Sequence, residues 1–298
     1  MNFYIVMQGK SYEASKEEEN VWCDIFDSAG NTPHSWERMK EVRKGDVLFH
    51  LVKGDIVAIS QAKEDCRVGV NENYEPGNTF AAKYEELPFA LNVKAHFEEI
   101  KPVLPIKYSP FQDNGDGNQG FLYPCNELLA LKLVELISNA NIHPRTAEQL
   151  EFAINPVVEK DYSNLAPILF GLEAKAKGQL MDEKLAFEEG VSALWEQSCA
   201  MCGIDHPALL EAVYAKPVKD AIGDERVDPY NGLLLCANHA KLYEEGVIAF
   251  DGTGKIHISS SMSPTDYSKY NIHPKMRISR DEQHKPYVKW HKREVWKD

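Results

Sequence analysis

The sequence has no long apolar run and no recognisable leader. None of its segments approaches the ~20 consecutive apolar residues that a membrane-spanning helix needs. The first residues, Met1-Asn2-Phe3-Tyr4-Ile5-Val6, lack the basic start and the long apolar middle of a signal peptide. These absences argue against a membrane protein and predict a cytoplasmic location with no membrane partner.

Positive charge is also in short supply. The chain has 33 Lys and Arg against 46 Asp and Glu, a formal net charge of -13. Because phosphate attraction supplies most non-specific affinity for DNA, this balance excludes an indiscriminate polyanion binder. Any contact with nucleic acid must use local patches. One candidate is the segment 273–298, where eight Lys and Arg face four Asp and Glu, a local charge of +4.

Cysteine is too scarce for a disulfide framework. There are six cysteines in 298 residues. Three of them, Cys23, Cys66 and Cys125, are scattered along the chain and are predicted to be reduced, partly buried thiols. The length is enough for two domains at about 150 residues each, so the chain is expected to fold without disulfides.

The other three cysteines form the strongest chemical pattern in the chain. Cys199-Ala200-Met201-Cys202 precedes Cys236-Ala237-Asn238-His239, a pair of short knuckles whose spacing suits tetrahedral zinc. The predicted ligands of a closed, structural Zn²⁺ site are therefore Cys199, Cys202, Cys236 and His239. Two alternatives remain at this stage: the thiols are buried without a metal, or His239 faces a hydrolytic metal and leaves zinc three protein ligands.

The periodicity of the chain predicts an α+β protein in three parts. Alternating segments 3–7, 46–50 and 56–60 indicate a β-rich N-terminal domain with a short helix at 36–42. Residues 126–153 and 147–195 are mostly helical in pattern. The predicted division is a domain at 1–139, a structured helical connector at 140–187, and a C-terminal domain at 188–298 that contains the zinc knuckles.

The N-terminal part resembles the EVE domain of the PUA superfamily. The resemblance covers about residues 1–137 and rests on Val21-Trp22, Trp36-Glu37-Arg38-Met39, Lys44-Gly45-Asp46-Val47-Leu48-Phe49-His50 and the segments 3–12, 56–60, 107–111 and 117–122. It implies a β-barrel with helices that takes a modified cytosine out of duplex DNA. Flipping costs a few kcal/mol of stacking and pairing, which a pocket must return through aromatic faces and hydrogen bonds. The candidate pocket residues are Trp22, Asp24, Trp36, Tyr108, Ser109, Phe111 and Asn118.

The C-terminal part resembles the HNH nuclease family, whose ββα-metal core cuts nucleic acid. The resemblance runs along 199–298, through Leu209-Leu210-Glu211-Ala212-Val213-Tyr214-Ala215-Lys216-Pro217 and Asn231-Gly232-Leu233. In the family a His stands where this chain has Tyr214, and deprotonates the attacking water. A His or Asp that binds the catalytic cation stands where this chain has Ala240. Asn231 matches the family residue that orients the base and supports the loop.

These departures leave the chemistry open. Tyrosine, with an ordinary pKa near ~10, is a poor base at neutral pH, and alanine binds no metal. The chain is a nuclease with relocated ligands for Mg²⁺ or Mn²⁺, an inactive nuclease fold, or a chain altered by substitution. The candidate catalytic residues are Tyr214, Asn231, Glu211 and His239, and the candidate DNA backbone contacts are Lys216, Lys219, Lys289 and Lys292.

The two resemblances together imply a modification-dependent restriction endonuclease. Its expected partner is double-stranded DNA that carries 5-methyl- or 5-hydroxymethylcytosine. A homodimer is plausible, because one metal centre cuts one strand. Two alternatives remain: a non-cleaving reader whose HNH fold only binds or dimerises, and a reader of modified RNA.

Overall fold

The computed structural model describes residues 1–71, 75–142 and 165–298. The described chain divides into two compact units, Met1–Lys177 and Gly178–Asp298. Much of the predicted connector lies outside the described residues, so the boundaries predicted at 139 and 187 stay predictions. Among the described helices, none has the length and apolar content to cross a bilayer.

A seven-stranded sheet forms the centre of the first unit. Its strands are β1 (Phe3–Met7), β2 (Asn20–Asp24), β3 (Val47–Val52), β4 (Asp55–Ala62), β5 (Arg67–Val70), β6 (Pro76–Asn92) and β7 (Leu122–Cys125). The order is β2-β6-β4-β3-β1-β7, with β5 also paired to β6. β1 and β3 are parallel and the other pairs are antiparallel. The sheet curls into a half-barrel, which confirms the predicted α+β class.

Among residues 1–71 and 75–142, the first unit has four α-helices, of which α4 is the longest and buries the most residues. They are α1 (Tyr12–Glu17), α2 (His34–Glu37), α3 (Phe97–Ile100) and α4 (Glu127–Asn141). The side chain of Asn126 caps α4 by accepting from the Leu129 amide. Leu129, Leu133 and Ile137 of α4 are buried in one core with residues of β1 and β3. The helical pattern predicted at 126–153 is therefore present as far as 141, and its part from 143 onward lies outside the described residues.

The second unit contains the predicted ββα arrangement. Helix α5 (Leu165–Leu194) leads to β8 (Leu210–Tyr214), β9 (Gly232–Cys236) and α6 (Ala237–Glu244). β8 and β9 are antiparallel, with Leu210 opposite Cys236 and Tyr214 opposite Gly232. The hairpin β10 (Ile248–Phe250) and β11 (Ile256–Ile258) follows, and α7 (Lys285–Glu294) ends the unit. The apolar core of this unit includes Val213, Leu233, Ala240 and Tyr243.

Candidate metal centre and nucleic-acid-binding residues

The two knuckles bring their four predicted ligands together. The ligand atoms of Cys199, Cys202, Cys236 and His239 all lie within 4.8 Å of one another. His239 Nδ1 is 3.6 Å from Cys199 Sγ and 3.3 Å from Cys236 Sγ, and Cys202 Sγ is 3.9 Å from Cys236 Sγ. Zinc–sulfur bonds of about 2.3 Å give tetrahedral edges of roughly 3.8 Å, so these spacings fit a four-coordinate metal such as zinc.

The ring of His239 is oriented for metal binding. Its Nε2 lies 3.1 Å from the carbonyl oxygen of Asn271. Donation of the Nε2 proton to that carbonyl leaves the lone pair on Nδ1, the atom that faces the cysteines. The ring is fully buried. This second contact fixes the tautomer, as the outer partners of metal-bound histidines commonly do.

Cys199 is suited to bind a cation as a thiolate. In the metal-free site, burial opposes ionisation of this thiol, but a hydrogen bond from the protonated ring of His239, together with backbone hydrogen bonds, outweighs it and lowers the pKa to about 6. The thiolate is the form that binds metals. Burial and the neighbouring cysteines raise the pKa of Cys202 to about 12 in the metal-free site, so the fit to zinc rests on the geometry and on the donor set of three sulfurs and one imidazole.

Tyr214, at the family's base position, has its ring and its hydroxyl engaged elsewhere. The ring stacks on Phe187 of α5, with centroids 3.6 Å apart and planes at 9°. The hydroxyl donates to the carbonyl oxygen of Arg226 at 2.8 Å. Burial, together with nearby Glu183, raises the pKa of Tyr214 above its ordinary value. To act as a base, this hydroxyl would first have to lose its carbonyl partner and its proton, so the catalytic role of Tyr214 stays a prediction.

Asn231 supports the loop that follows β8. Its Oδ1 accepts from the Lys216 amide at 2.8 Å, and its Nδ2 donates to the carbonyl oxygens of Lys216 at 3.0 Å and Glu225 at 2.9 Å. The side chain is fully buried. These three bonds hold two separate loop segments together. The predicted supporting role thus has a definite geometry, whereas an orienting role toward a base stays a prediction.

Replacing Asn231 by alanine is expected to destabilise the second unit by about 3 kcal/mol, because three buried backbone groups lose their partners. Chemical unfolding followed by tryptophan fluorescence measures the change. Asn238→Ala is the matched control, since this exposed side chain makes one bond, to the Tyr270 carbonyl at 2.7 Å. The control is expected to cost less than about 1 kcal/mol. Equal effects of the two substitutions would contradict the supporting role.

Two exposed carboxylates lie near the hairpin and the helix. Glu211 is on β8 and Glu244 is the last residue of α6. Both contribute to raising the pKa of Lys241, after the larger effect of its hydrogen bond to Glu245. Ala240, where a cation ligand was expected from the family resemblance, is fully buried, and its methyl side chain cannot bind a metal. Within the described ranges, only the three cysteines and His239 form a group of three or more potential metal ligands.

The four lysines predicted to contact DNA differ in environment. Lys216 is 15% exposed, and its Nζ lies 2.5 Å from Glu225 Oε2. Lys219 is half-buried. Lys289 is exposed, and the Nζ of Lys292 lies 3.1 Å from His257 Nε2. Their role on DNA stays a prediction, and Lys289 is the most accessible of the four.

Four of the seven predicted pocket residues line one open cleft in the first unit. Tyr108, Ser109, Phe111 and Asn118 border a cavity of about 900 Å³. Ser109 Oγ donates to the Phe111 carbonyl at 2.7 Å, and Asn118 Nδ2 donates to the Ser109 carbonyl at 2.8 Å. These polar groups therefore shape the loop rather than face a ligand.

Tyr108 is the aromatic residue available for stacking in this cleft. It is 55% exposed and has a positive φ of 57°. His34 stacks against its ring at 5.4 Å with planes at 12°, and the guanidinium of Arg38 lies 5.7 Å from the ring centroid. Arg38 is itself buried and donates to the Leu122 carbonyl at 3.2 Å. The ring is thus supported by ordered neighbours while more than half of it stays accessible.

The other three predicted pocket residues do not line this cleft. The ring of Trp22 lies over Gly77 of β6, where a Cβ atom would come within 2.1 Å of it. Trp22 Nε1 donates to Asp24 Oδ1 at 3.0 Å. Trp36, on α2, packs against the core that contains Met39. A shared pocket for all seven residues therefore stays a prediction.

Sequence reasoning missed a buried polar cluster beneath the sheet. His50 Nδ1 is 2.6 Å from Gln8 Oε1, and His50 Nε2 is 2.7 Å from Ser60 Oγ. The rings of Tyr84 and Tyr12 lie 4.4 and 6.0 Å from that of His50. Burial lowers the pKa of His50 to about 3, so the imidazole is neutral. The available signal was a polar residue in or directly beside each of three apolar strands: Gln8 after β1, His50 in β3 and Ser60 in β4.

Solved structures with low similarity cover the first half of the chain. An NMR structure of Rpa0253 from Rhodopseudomonas palustris has 12% identity and a TM-score of 0.33, covering 46% of this chain and 92% of that chain. A crystal structure of Atu2648 from Agrobacterium tumefaciens has 12% identity and a TM-score of 0.30, covering 47% and 92%. The Pho92 YTH domain in complex with m6A has 12% identity and a TM-score of 0.32, covering 46% and 85%. These scores are too low to assign a ligand.

The family comparison concerns the second unit. Among curated proteins, none matches the chain. Residues 199–251 match the HNH endonuclease family. This range contains the four clustered metal ligands and the β8–β9–α6 arrangement. The similarity to HNH endonucleases therefore lies in the segment that contains the clustered cysteines and His239.

Proposed function

We propose that the protein is a modification-dependent DNA endonuclease. Its first unit binds duplex DNA with 5-methyl- or 5-hydroxymethylcytosine by flipping the base, and its HNH segment cleaves nearby phosphodiester bonds. The observation that carries the proposal is the match of residues 199–251 to HNH endonucleases, supported by the clustered zinc-type ligands within them. Zinc at these ligands would be structural and would join the turn after α5 to β9 and α6.

The reading step is assigned to the open cleft. Its volume of about 900 Å³ is sufficient for a nucleotide. The half-exposed Tyr108 ring offers a stacking face, and stacking on an aromatic side chain contributes about 1–3 kcal/mol per base. This amount is comparable to the few kcal/mol that extrusion of a base costs. Selectivity for the modified base would come from polar atoms at the cleft, among which the Asp113 carboxylate is a candidate acceptor.

The cutting step needs a water and a cation beside the scissile phosphate. Mg²⁺ is often held by one or two carboxylates together with substrate phosphates, without a preassembled protein cage. Glu211 on β8 and Glu244 at the end of α6 are exposed carboxylates on the hairpin and helix that define the family's site. They would supply the protein ligands for Mg²⁺ or Mn²⁺.

A second candidate function is a reader that binds modified DNA without cutting it. Two observations favour it: the hydroxyl of Tyr214 is bonded to the Arg226 carbonyl, and buried Ala240 stands at the family's cation position. In that case the HNH fold would serve as a zinc-braced clamp or as a dimer contact. A preference for modified RNA is the third alternative, which a competition between the two polymers separates.

Incubation with end-labelled duplexes separates these functions. We expect the protein, with Mn²⁺ or Mg²⁺, to fragment duplexes that contain 5-methyl- or 5-hydroxymethylcytosine and to leave unmodified duplexes intact. Glu211→Gln with Glu244→Gln is expected to abolish fragmentation and to retain binding. Selective binding with all strands intact would support the reader and exclude the nuclease. Equal treatment of modified and unmodified duplexes would exclude both.

A further inference from the structure

Five cationic side chains converge on the turn at 251–254 in the second unit. Lys255 and Arg277 are directly opposite each other in an isolated antiparallel bridge. A Cβ atom at Gly252 would lie 2.7 Å from Lys289 Cε and 3.4 Å from Lys285 Cγ, so both lysine stems cross this glycine. Lys292 reaches the nearby His257 at 3.1 Å. The lack of a side chain at Gly252 thus leaves room for two lysines above the turn.

Of these five cations, only Lys285 forms an ion pair with a carboxylate among the described residues, Glu282, whose Oε2 lies 3.4 Å from its Nζ. Lys255, Arg277 and Lys289 are exposed and form no ion pair with any described carboxylate. The carboxylate of the turn, Asp251, accepts from the Thr253 amide at 2.7 Å, from the Thr253 hydroxyl at 2.6 Å and from the Lys255 amide at 3.2 Å. Its Oδ1 therefore shapes the turn, while its Oδ2 lies 3.2 Å from His257 Nε2, so this carboxylate adds one negative charge beside the five cations.

The arrangement costs stability in the free protein. Like charges directly opposite each other on paired strands are destabilising, and Lys255 and Arg277 occupy such a pair. The whole chain has a net charge of -13, so cations could readily have found acidic neighbours. A ligand that carries several regularly spaced negative charges would account for this local excess of cations.

We propose that this basic patch, defined as Lys255, Arg277, Lys285, Lys289 and Lys292 around the 251–254 turn, binds the phosphodiester backbone of DNA. The inference rests on the proposed function, because it takes the same duplex as the partner. The patch contacts phosphates and reads no base, so it positions the duplex and carries no sequence preference. It selects four cations of the segment 273–298 and adds Lys255 beside the β10–β11 turn.

The salt dependence of DNA binding tests this patch. Each phosphate contact contributes about 0.9 to the slope of log K against log salt concentration on B-form DNA. The variant Lys255→Gln/Arg277→Gln/Lys289→Gln is therefore expected to lower that slope by about 2 to 3, equally for modified and unmodified duplexes. The matched control is Lys184→Gln/Lys241→Gln/Lys269→Gln, which removes the same charge from exposed lysines paired with carboxylates.

The control is expected to change the slope by less than about 1. Equal slopes for the two variants would overturn the patch while leaving selective binding of modified DNA, and thus the proposed function, in place. If the unaltered protein does not prefer modified DNA but the patch variant still lowers the salt slope as expected, the result would count against the proposed function alone. Failure of the unaltered protein to bind any duplex would overturn both.

Thermal unfolding provides a second measurement, for which a purely structural role of these side chains predicts a different result. Because the patch residues repel one another, the variant Lys255→Gln/Lys289→Gln, which keeps the hydrogen bond from Arg277 to the Thr253 hydroxyl at 3.2 Å, is expected to unfold at the same or a higher temperature than the unaltered protein at low salt. A short duplex is expected to raise the unfolding temperature of the unaltered protein more than that of the variant. A lower unfolding temperature of the variant without DNA would show that these side chains stabilise the fold and would overturn the inference.

Discussion

Replacing Cys236 by serine is expected to unfold the second unit and to release its metal. Zinc binding to small cysteine and histidine sites contributes about 10–16 kcal/mol to folding, and a domain is stable by only about 5–15 kcal/mol. Cys236 ends β9, and its Sγ lies 3.3 Å from His239 Nδ1. Its loss therefore removes one ligand and loosens the junction of the strand with α6. Zinc content and near-ultraviolet circular dichroism measure the effect.

Cys66→Ser is the control for this substitution. Cys66 is a half-buried thiol of the first unit and lies outside the ligand group. This variant is expected to retain zinc at one equivalent and to keep the spectrum of the unaltered protein. A chelator added to the unaltered protein should reproduce the effect of Cys236→Ser. If Cys236→Ser unfolds at the same temperature as the control and retains its metal, the structural role of zinc is wrong.

Sequence spacing was sufficient to predict which four potential metal ligands cluster, but not their outer contacts. The two knuckles lie at fixed short spacings, and such spacing restricts which atoms can meet at one ion. The partner of His239 Nε2 is the carbonyl of Asn271, which is 32 residues further along the chain. Its position depends on the path of the second unit after β11, which local patterns do not determine.

The same distinction between local and tertiary information applies to the folds. Alternation of apolar residues in 3–7 and 56–60 correctly indicated β1 and β4, and the apolar spacing after Asn126 indicated α4. Such patterns do not predict which side chains contact each other across the sheet. Trp22 was predicted to face a ligand, yet its ring covers Gly77, a residue 55 positions away whose missing side chain gives it room.

The polar residues Gln8, His50 and Ser60 show why candidate pockets are harder to predict than strands. Each lies in or beside an apolar strand and would be expected to face solvent or to interrupt the core. In the structure they bond to one another, and the rings of two tyrosines enclose them. Buried polar groups are acceptable when they are paired, but the pairing requires the parallel placement of β1 beside β3, which the sequence did not reveal.

Replacing Tyr108 by alanine is expected to weaken binding of a modified duplex about 5- to 150-fold, which corresponds to the loss of 1–3 kcal/mol of base stacking. An unmodified duplex leaves its bases stacked, so its affinity should change by less than about 2-fold, a free-energy change smaller than RT. Tyr108→Phe is the control because it keeps the ring that stacks on His34. Fluorescence anisotropy on both duplexes measures the affinities, and 2-aminopurine placed beside the modified cytosine reports extrusion of the base.

The two variants separate stacking from other roles of this loop. Both substitutions keep an L side chain at the positive φ of Tyr108. Both also remove the hydroxyl, so an effect of the hydroxyl would appear equally in the two variants. An effect of the ring alone would appear only in Tyr108→Ala. If the alanine variant binds the modified duplex as tightly as the phenylalanine variant and the 2-aminopurine signal persists, then the cleft does not hold the flipped base.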